Sequence, residues 1–389
     1  MSWCRGCGKT KLTLFADLGH QPPSNKLLTK EQLSEPEIHY PLKAYVCNSC
    51  FLIQLGHQVD PKLLFDKNYP YFSSRNEQTV LSAKQYVAEM YQEFKPKSWL
   101  EIASNDGVLL ENVKNLKVDH LGIEPCSSVA RESLKKGINT KIDFFDGKSH
   151  LKYGRFDLIT ANNVLAHIPD INDFIKGIKK SLSKKGVATF EFHWAMDMLT
   201  FVKFDTIYHE HYYYLSLIAL IPLFKKHGLD IFRVYCLQTH GQSLRIFVCH
   251  EKTREIDDSI GFYLNGEIDN GLNLLSMYQD FQNKIKQKCD EFVLKHIHKI
   301  DAYGYHYTPM SYGVGAAAKA TVMINYLKLK LPFVVDETPH KIGKYIPGMH
   351  IPIVGPKALK GWNKSDAIIF PWNVKDIFEA KLSAWCNPK

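Results

Sequence analysis

A dense group of titratable side chains occupies residues 208–214 of this 389-residue sequence. It begins with Tyr208, His209, Glu210 and His211, and three more tyrosines follow. The two histidines lack the i, i+4 spacing of an HExxH metal site, and no third metal ligand is evident. A loop could bring these side chains together, whereas an extended strand would separate the histidines from the others. Imidazole titrates near neutral pH, and a carboxylate or phenol can orient it, so the pattern favours acid–base chemistry over purely structural histidines.

A small-residue turn and a carboxylate follow two predicted strands farther upstream. The strand Ser98–Ala103 runs into the turn Ser104-Asn105-Asp106-Gly107, and the next strand ends in Glu124. Ligands of open α/β sheets bind at the carboxyl ends of strands, where turns expose backbone N–H groups. The turn does not fit GxGxxG, so a dinucleotide site is a weak interpretation. It resembles the first motif of class I S-adenosylmethionine (SAM) methyltransferases, with Glu124 on the ribose; an ordinary Rossmann-type turn is the alternative.

A third polar group follows the predicted strand Phe156–Ala161. Asn162, Asn163 and His167 lie there, on the rim of the sheet that carries the first two groups. His167 would either hydrogen-bond a ligand or cap the next helix. The residues predicted to bind SAM are Glu101, Ala103, Asn105, Gly107, Glu124, Asn162 and Asn163.

Two close cysteine pairs indicate a metal. Cys4 and Cys7 form one CxxC, and Cys47 and Cys50 form another. In a reducing compartment such pairs are better explained by a tetrahedral zinc site than by disulfides, and four sulfur ligands leave no open position for chemistry. The 39 residues between the pairs exceed the commonest ribbon spacing, so redox thiols or a catalytic metal are the alternatives. The five other cysteines are single and fit small buried hydrophobes.

The elements that must position these groups follow a βαβ order. Predicted strands alternate with helices such as 80–94 and 172–182, which indicates a parallel, doubly wound sheet. Apolar runs at 231–237 and 243–249 resemble a closing hairpin, and a long helical pattern over 256–298 precedes a smaller strand–turn–helix unit. The sequence therefore predicts an α/β protein with a zinc-binding domain at 1–75, a SAM-binding domain with a Rossmann-like class I methyltransferase sheet at 76–255, and a second α/β domain at 256–389.

Composition and charge narrow the function classes. With 45% hydrophobic and 23% charged residues, the chain matches an ordinary globular protein. Its 49 Lys and Arg exceed its 40 Asp and Glu, which favours anionic ligands such as nucleic acid, membrane headgroups or phosphorylated metabolites. The N-terminus lacks the features of a signal peptide, and the most apolar stretch, 215–224, is too short to cross a membrane. We expect a cytoplasmic protein.

Besides the cysteine pairs, seven motifs occur in one order: Tyr69-Pro70-Tyr71, Glu101-Ile102-Ala103-Ser104-Asn105-Asp106-Gly107, Gly122-Ile123-Glu124-Pro125, residues 163–170, Tyr208-His209-Glu210-His211, Ser243-Leu244-Arg245 and residues 341–348. Together they resemble the sugar C-methyltransferases that make branched deoxysugars on nucleotide carriers, over nearly the whole chain. The resemblance implies a zinc-binding domain, a SAM-binding domain and a C-terminal α/β domain that helps to hold the nucleotide sugar. It also implies methyl transfer to C3 of a dTDP-4-keto-6-deoxysugar.

The resemblance assigns roles to individual residues. The catalytic candidates are His211 as the base, Glu210 and Tyr208 beside it, and His167. The residues expected to bind the nucleotide sugar are Tyr71, His240, Arg245, Lys319 and Lys344. The sequence departs from the family pattern at Gln242, where a second Gly is usual, and at Val314, where an aromatic residue is usual. Both lie where substrate fit could change, which leaves the exact sugar open.

The chemistry also fits these residues directly. A ketone at C4 acidifies the hydrogen on C3, so a positioned imidazole can remove it, and the carbanion can attack a sulfonium methyl group. One alternative is a zinc-ribbon nucleic-acid methyltransferase, which would need a basic stripe with stacking aromatics that the sequence does not show. Another is a sugar-nucleotide-binding protein without catalysis, which the group at 208–211 argues against. We expect SAM and structural Zn²⁺ as cofactors, a nucleotide sugar as substrate, a monomer, and no nucleic-acid or membrane partner.

Overall fold

A computed structural model describes residues 3–66, 69, 71–237, 242–297, 299–300, 304–307 and 310–386. The strands in these ranges are β1 (Leu12–Gln21), β2 (Tyr40–Cys47), β3 (Ile53–Leu55), β4 (Ser98–Ile102), β5 (Asp119–Ile123), β6 (Thr140–Lys141), β7 (Phe156–Asn162), β8 (Leu182–His193), β9 (Tyr213–Tyr214), β10 (Leu229–Leu237), β11 (Ser243–His250), β12 (Lys299–Ile300), β13 (His306–Tyr307), β14 (Tyr312–Val314), β15 (Leu329–Lys330), β16 (Val334–Val335), β17 (Ile353–Val354) and β18 (Ala367–Ile369). The helices are α1 (Pro61–Leu64), α2 (Glu77–Phe94), α3 (Val108–Asn115), α4 (Ser127–Lys135), α5 (Ser149–Tyr153), α6 (Ile171–Ser181), α7 (Ala195–Thr200), α8 (Leu217–Lys226), α9 (Asp258–Asp269), α10 (Ser276–Gln279), α11 (Phe281–His296), α12 (Ala318–Tyr326) and α13 (Lys375–Cys386). None of these helices has the length and apolar character needed to span a membrane.

The central sheet has the strand order β6-β5-β4-β7-β8-β11-β10. Neighbouring strands run parallel from β6 to β8, and β11 runs antiparallel to both β8 and β10. A first strand at the centre, with helices between successive parallel strands, is the doubly wound arrangement. The predicted α/β class and its class I methyltransferase sheet are confirmed, and the predicted hairpin is β10 and β11.

The carboxyl ends of β4, β5 and β7 lie side by side. In the register of the sheet, Ile102 pairs with Ile123, and Glu101 pairs with Thr160 of β7. The polar residues that follow these strands therefore share one rim, as the sequence predicted. We call this rim, formed by Glu101, the turn 103–107, Glu124 and Asn162–Asn163, the carboxyl edge.

Local sequence explains the helix that leads into the central sheet. The Asn76 side chain caps α2 by accepting a hydrogen bond from the backbone N–H of Thr79 at 3.2 Å. The buried positions 83, 86, 87 and 90 follow the 3.6-residue period, so one stripe of α2 packs on the sheet. Within that stripe, Tyr86 is fully enclosed and its hydroxyl contacts the hydroxyls of Thr160 and Thr189. The helix thus lies against β7 and β8.

The N-terminal sheet includes a strand from the middle of the chain. Its order is β1-β2-β3-β9, with all neighbours antiparallel. In the last pair, Tyr213 lies opposite Gln54 and Tyr214 lies opposite Ile53. The backbone N–H of Leu55 also donates to the carbonyl of Tyr212 at 3.0 Å. The tyrosine run that follows the 208–211 motif is therefore part of the N-terminal sheet.

A parallel sheet of order β17-β16-β14-β18 forms the core of the C-terminal region. The helical pattern predicted over 256–298 is divided into α9, α10 and α11, with Gly271 in a left-handed turn (φ 77°) between the first two. One hydrophobic cluster joins Phe15 of β1, Phe204 near the centre and Phe281 of α11. The interior is therefore shared by all three parts of the sequence.

Candidate active site

The four paired cysteines converge. Their sulfur atoms all lie within 4.8 Å of one another, with Cys4 and Cys50 at 3.6 Å and Cys7 and Cys47 at 3.6 Å. Each pair sits in a tight turn, closed by hydrogen bonds from Gly8 N–H to the Cys4 carbonyl and from Phe51 N–H to the Cys47 carbonyl. Four sulfur donors in this arrangement fit a closed tetrahedral zinc site. The site would hold Zn²⁺ for structure and leave no position for a reacting group.

The turn after β4 has an unusual backbone. Ala103, Asn105 and Gly107 all have positive φ, at 54°, 50° and 79°. Left-handed conformations at residues with a Cβ are costly and concentrate at functional turns. At Gly107 a Cβ would clash with Ile138 and Ser133, so this position requires glycine. The turn therefore lies close against the sheet and opens its polar groups at the carboxyl edge.

Glu124 organises the carboxyl edge from within. It is buried, and its two carboxylate oxygens accept backbone hydrogen bonds from Asn105 at 2.9 Å and Cys126 at 2.8 Å. Burial raises the pKa of this carboxyl group, and the two backbone N–H groups oppose that shift. The carboxylate ties the first turn to the second strand, and each oxygen keeps a lone pair that a ribose hydroxyl can use.

Four buried oxygen atoms at the carboxyl edge have no hydrogen-bond partner among the described residues: Glu101 Oε2, Ser104 Oγ, Asn162 Oδ1 and Asn163 Oδ1. Burial raises the pKa of Glu101 well above its ordinary value, and the charges of Glu124 and Asp106 add to the shift. Unpartnered buried acceptors are costly unless a ligand satisfies them. SAM carries an ammonium group, ribose hydroxyls and an adenine amine, which are donors that fit this set of acceptors.

A strap formed by residues 71–74 lies over the turn after β4. The backbone N–H of Ser73 donates to Asn105 Oδ1 at 2.8 Å, and Asn105 Nδ2 donates to the Tyr71 carbonyl at 3.2 Å. Ser74 donates to the carboxylate of Asp106 through both its backbone and its hydroxyl. The strap places the exposed Tyr71 ring beside the carboxyl edge.

Tyr208 and His211 form a hydrogen-bonded pair in the loop before β9. Tyr208 Oη lies 2.8 Å from His211 Nε2, and His211 Nδ1 lies 3.1 Å from the Thr206 carbonyl. Because a carbonyl only accepts, Nδ1 carries the hydrogen and Nε2 keeps a lone pair, which accepts from the phenol. Burial lowers the pKa of His211 well below its ordinary value, and nearby His167 adds to the shift. His211 is therefore a neutral imidazole with a basic Nε2.

Two other predicted catalytic residues lie against this pair. His167 Nδ1 donates to the Glu210 carbonyl at 2.6 Å, and its ring centroid is 4.9 Å from that of His211. Glu210 Oε1 accepts from the backbone N–H of Asn25 at 3.2 Å, whereas Oε2 is buried without a partner among the described residues. Burial raises the pKa of Glu210 and lowers that of His167. We call Tyr208, Glu210, His211 and His167 the His211 cluster.

His209 points away from the His211 cluster. Its Nε2 lies 3.3 Å from the Tyr40 carbonyl, and its ring packs against that of Tyr40 in the N-terminal sheet. The segment is therefore a loop that brings Tyr208 and His211 together, which was one of the two interpretations of the sequence, the other being an extended strand. His209 instead packs in the N-terminal sheet. Burial lowers the pKa of His209 to about 4.

The predicted substrate-binding residues are spread over several places. Arg245 is buried in an ion pair with Glu191 at 2.9 Å and lies 4.4 Å from the centroid of the Tyr86 ring. Lys344 is half-buried in the turn before the Tyr345 bridge. His240 lies outside the described residues.

Lys319, at the start of α12, is connected to the His211 cluster through Trp372 and Asp205. Its ammonium group lies 3.9 Å from the centroid of Trp372 and donates to Asn373 Oδ1 at 2.9 Å. Burial lowers the pKa of Lys319 to about 8. Trp372 Nε1 in turn donates at 2.7 Å to Asp205, the residue before Thr206. The C-terminal region thus braces the segment that fixes the His211 tautomer.

A small cavity borders His211. Thr206, His193, Trp194 and Tyr214 are among its lining residues. The sequence did not single out His193, Asp205 or Trp372, because their relation to His211 arises from contacts between distant segments. Tyr214 had a signal, since it belongs to the same aromatic run.

Three protein-family models match successive parts of the chain. The model described as "Putative zinc binding domain" matches residues 4–65, "Methyltransferase domain" matches 74–234, and "C-methyltransferase C-terminal domain" matches 238–387. Together with the sheet order and the carboxyl edge, these matches define a SAM-dependent methyltransferase that carries a zinc-binding domain.

A relative named as a C-methyltransferase matches nearly the whole chain. C-methyltransferase NovU from Streptomyces niveus is 27% identical over 384 residues, which cover 95% of this chain and 89% of NovU. With the C-terminal match above, this similarity makes the chain a SAM-dependent C-methyltransferase. Its cofactors are SAM and a structural zinc ion.

Two solved methyltransferase structures each match less than half of the chain. A SAM-dependent methyltransferase from Clostridium acetobutylicum ATCC 824 is 16% identical, with a TM-score of 0.38, over 44% of this chain and 92% of that one. Magnesium protoporphyrin IX methyltransferase (ChlM) from Synechocystis PCC 6803 with bound SAM is 12% identical, with a TM-score of 0.35, over 45% and 79%. At these scores the likeness supports no inference about this chain.

Proposed function

We propose that this enzyme methylates C3 of a nucleotide-linked 4-keto-6-deoxysugar, with dTDP as the carrier. The observation that carries the proposal is the environment of His211. A buried, neutral imidazole, with Nδ1 held by a backbone carbonyl and Nε2 left basic, borders a cavity next to the SAM-binding sheet. That arrangement suits removal of a proton from a carbon made acidic by an adjacent ketone.

The proton moves from C3 to His211 Nε2. The C–H bond breaks, its electron pair forms the enolate, and Nε2 takes the proton. The Tyr208 hydroxyl occupies this lone pair when no substrate is present, so the phenol must turn its hydrogen away for the transfer. Burial raises the pKa of Tyr208 well above its ordinary value, so this phenol stays protonated and orients the imidazole. Bound SAM supplies an electrophilic methyl group that C3 attacks.

Glu210 and His167 support substrate placement. The free Oε2 of Glu210 is an acceptor for a hydroxyl of the sugar. The His167 side chain, fixed through Nδ1 by the Glu210 carbonyl, holds its ring against His211. At the carboxyl edge, Glu124 would accept hydrogen bonds from the ribose hydroxyls of SAM, and Glu101 would bind its methionine end.

The anionic carrier fits the basic residues of the C-terminal region. Lys319, stacked on Trp372, is placed to attract a diphosphate, with Lys344 as a second cation. Tyr71, in the strap, would contact either the sugar or the nucleotide base of the substrate. Arg245 acts through its pair with Glu191, whose carbonyl accepts from the Asn163 backbone N–H at 2.7 Å.

The proposal includes the division of the chain. Residues 1–75 hold zinc, residues 76–255 bind SAM, and residues 256–389 hold the nucleotide. The proposal includes a monomeric enzyme.

The test uses the zinc-loaded enzyme with SAM and a panel of dTDP- and UDP-linked 4-keto-6-deoxysugars. We expect a singly methylated product by mass spectrometry, with the methyl group on C3 by NMR. In deuterium oxide without SAM, the enzyme should also exchange the C3 hydrogen of its substrate. An enzyme that is active on another carbon acid, but neither methylates nor exchanges any sugar of the panel, would contradict the proposal.

A further inference from the structure

The phenol of Tyr214 is buried in the wall of the cavity that borders His211. Its ring centroid lies 6.1 Å from that of His211, and the side chain is 6% exposed. Among the described residues its hydroxyl has no hydrogen-bond partner. A phenol is both a donor and an acceptor, so this hydroxyl has a hydrogen to offer to an acceptor placed in the cavity.

The two preceding tyrosines provide an internal comparison. Tyr212 Oη donates to the Val59 carbonyl at 2.7 Å, and Tyr213 Oη donates to the Pro169 carbonyl at 3.1 Å. Tyr213 and Tyr214 both line the cavity, but the Tyr213 hydroxyl is satisfied by backbone, whereas that of Tyr214 has no partner among the described residues. Because an unsatisfied buried hydroxyl destabilises a protein, a group left in this state at a cavity indicates a ligand acceptor.

We propose that Tyr214 donates its hydroxyl hydrogen to the ketone oxygen of the substrate and stabilises the enolate. The inference rests on the proposed function. As His211 Nε2 takes the C3 proton, the C–H electron pair shifts into a C3–C4 double bond and negative charge develops on the ketone oxygen. The Tyr214 hydrogen bond would strengthen with that charge. It would relax when C3 takes the methyl group of SAM, the carbon–sulfur bond breaks to leave S-adenosylhomocysteine, and the ketone is restored. The phenol keeps its proton throughout, so atoms and charge balance.

The ionisation of Tyr214 is consistent with a donor. Burial raises the pKa of Tyr214 well above its ordinary value, and the charge of Glu210 adds to the shift. The group is therefore a phenol at neutral pH. A preorganised donor in a site that excludes water is the arrangement that stabilises developing oxyanions most effectively.

The test is Tyr214→Phe in the full, zinc-loaded enzyme, assayed with SAM and the best sugar of the panel. We expect kcat to fall by about 10²–10³, the usual effect of removing one oxyanion donor. The rate of C3 hydrogen exchange without SAM should fall in the same proportion, and the dissociation constant of SAM should not change. Because the hydroxyl is unpartnered in the free enzyme, the variant should melt at the wild-type temperature or above it.

The control is Tyr212→Phe, which removes a neighbouring phenol that has a backbone partner. It should lower the melting temperature and leave kcat within a few-fold of wild type. Fluorotyrosines at position 214 provide a second measurement: a more acidic phenol should change the exchange rate in a graded way, which a packing role would not produce.

The outcomes separate the two proposals. If the wild-type enzyme acts on a keto sugar and Tyr214→Phe shows the same exchange rate and kcat, the role of Tyr214 is overturned and the proposed sugar substrate is retained. A wild-type enzyme that acts on no keto sugar would overturn both.

Discussion

The carboxyl edge and the His211 cluster are neighbours in space, but the chain builds them differently. The edge is local: each of its residues belongs to a central strand or follows its end within five residues, and the sheet register sets the distances. Three members of the His211 cluster, all except His167, lie in a loop that is fixed by distant parts of the chain, including Asn25, Leu55 and the segment at Trp372. The geometry of the edge thus depends on the central sheet, and that of the cluster on contacts between all three regions.

Loss of zinc should give the largest difference between its effect on the His211 cluster and its effect on the carboxyl edge. Structural zinc contributes about 10–16 kcal/mol in small zinc domains. Here the zinc turn at Cys47–Cys50 lies between β2 and β3, and β3 pairs with Tyr213 and Tyr214 beside the cluster. We expect chelation, or Cys47→Ser, to abolish C3 hydrogen exchange while SAM still binds. Calorimetry of SAM binding and exchange by NMR measure the two effects.

Zinc re-addition provides the control for chelation. It should restore exchange in the wild-type enzyme but not in Cys47→Ser. Elemental analysis should find one zinc per chain in gently purified protein. Protein without zinc would contradict the assignment of the four cysteines to a zinc site. Equal loss of SAM affinity and exchange would show that the two regions are not independent.

Removal of the base should abolish catalysis without affecting the carboxyl edge. His211→Asn is expected to lower kcat by about 10²–10⁴, the contribution of a positioned acid–base group. The affinity for SAM should not change, because the hydrogen bonds of His211 go to Tyr208 and to the Thr206 carbonyl. His209→Asn is the matched control, since that imidazole faces Tyr40 instead of the cavity. Wild-type hydrogen exchange in His211→Asn would exclude this histidine as the base.

The reverse experiment perturbs the edge. Glu124→Ala should weaken SAM binding by about 1.5–3 kcal/mol, the scale of hydrogen bonds to a charged group. C3 exchange without SAM should stay near the wild-type rate, because the carboxylate braces Asn105 and Cys126 and not the His211 loop. Glu132→Ala, which removes an exposed carboxylate, controls for charge. Unchanged SAM affinity in the folded variant would contradict the role of Glu124.

The same contrast explains what the sequence could predict. The strand predicted at Ser98–Ala103 is observed as Ser98–Ile102, and the carboxylates and amides of the edge lie where a parallel sheet must place them. These features follow from hydrophobic periodicity and turn chemistry, which act over a few residues. Each CxxC turn is local in the same way, whereas the approach of the two turns depends on the pairing of β1 with β2, in which Leu12 lies opposite Cys47.

The tertiary features needed the structure. Arg245 was predicted to bind the substrate, which stays a prediction, and its ion pair with Glu191 came from the register of β8 and β11, which the sequence did not reveal. The convergence of Tyr208 and His211 was one of two interpretations, and the choice depended on the Thr206 carbonyl and on the Asp205–Trp372 bond. The periodicity of the sequence cannot predict that Trp372 binds Asp205, because the two residues are 167 positions apart.

The smallest expected effect concerns the acid side of the pH profile. Burial and nearby His167 lower the pKa of His211, and the active form is the neutral one, so activity should be lost only as pH falls through a value below 6.5. An imidazole with the ordinary pKa of about 6.5 would lose about threefold in rate between pH 7 and pH 6. We expect almost no loss of kcat/KM for the sugar over that interval, with the fall at lower pH. An acid limb centred at 6.5 or above would mean that the base is solvated in the free enzyme, and would remove the distinction between a buried His211 cluster and an open carboxyl edge.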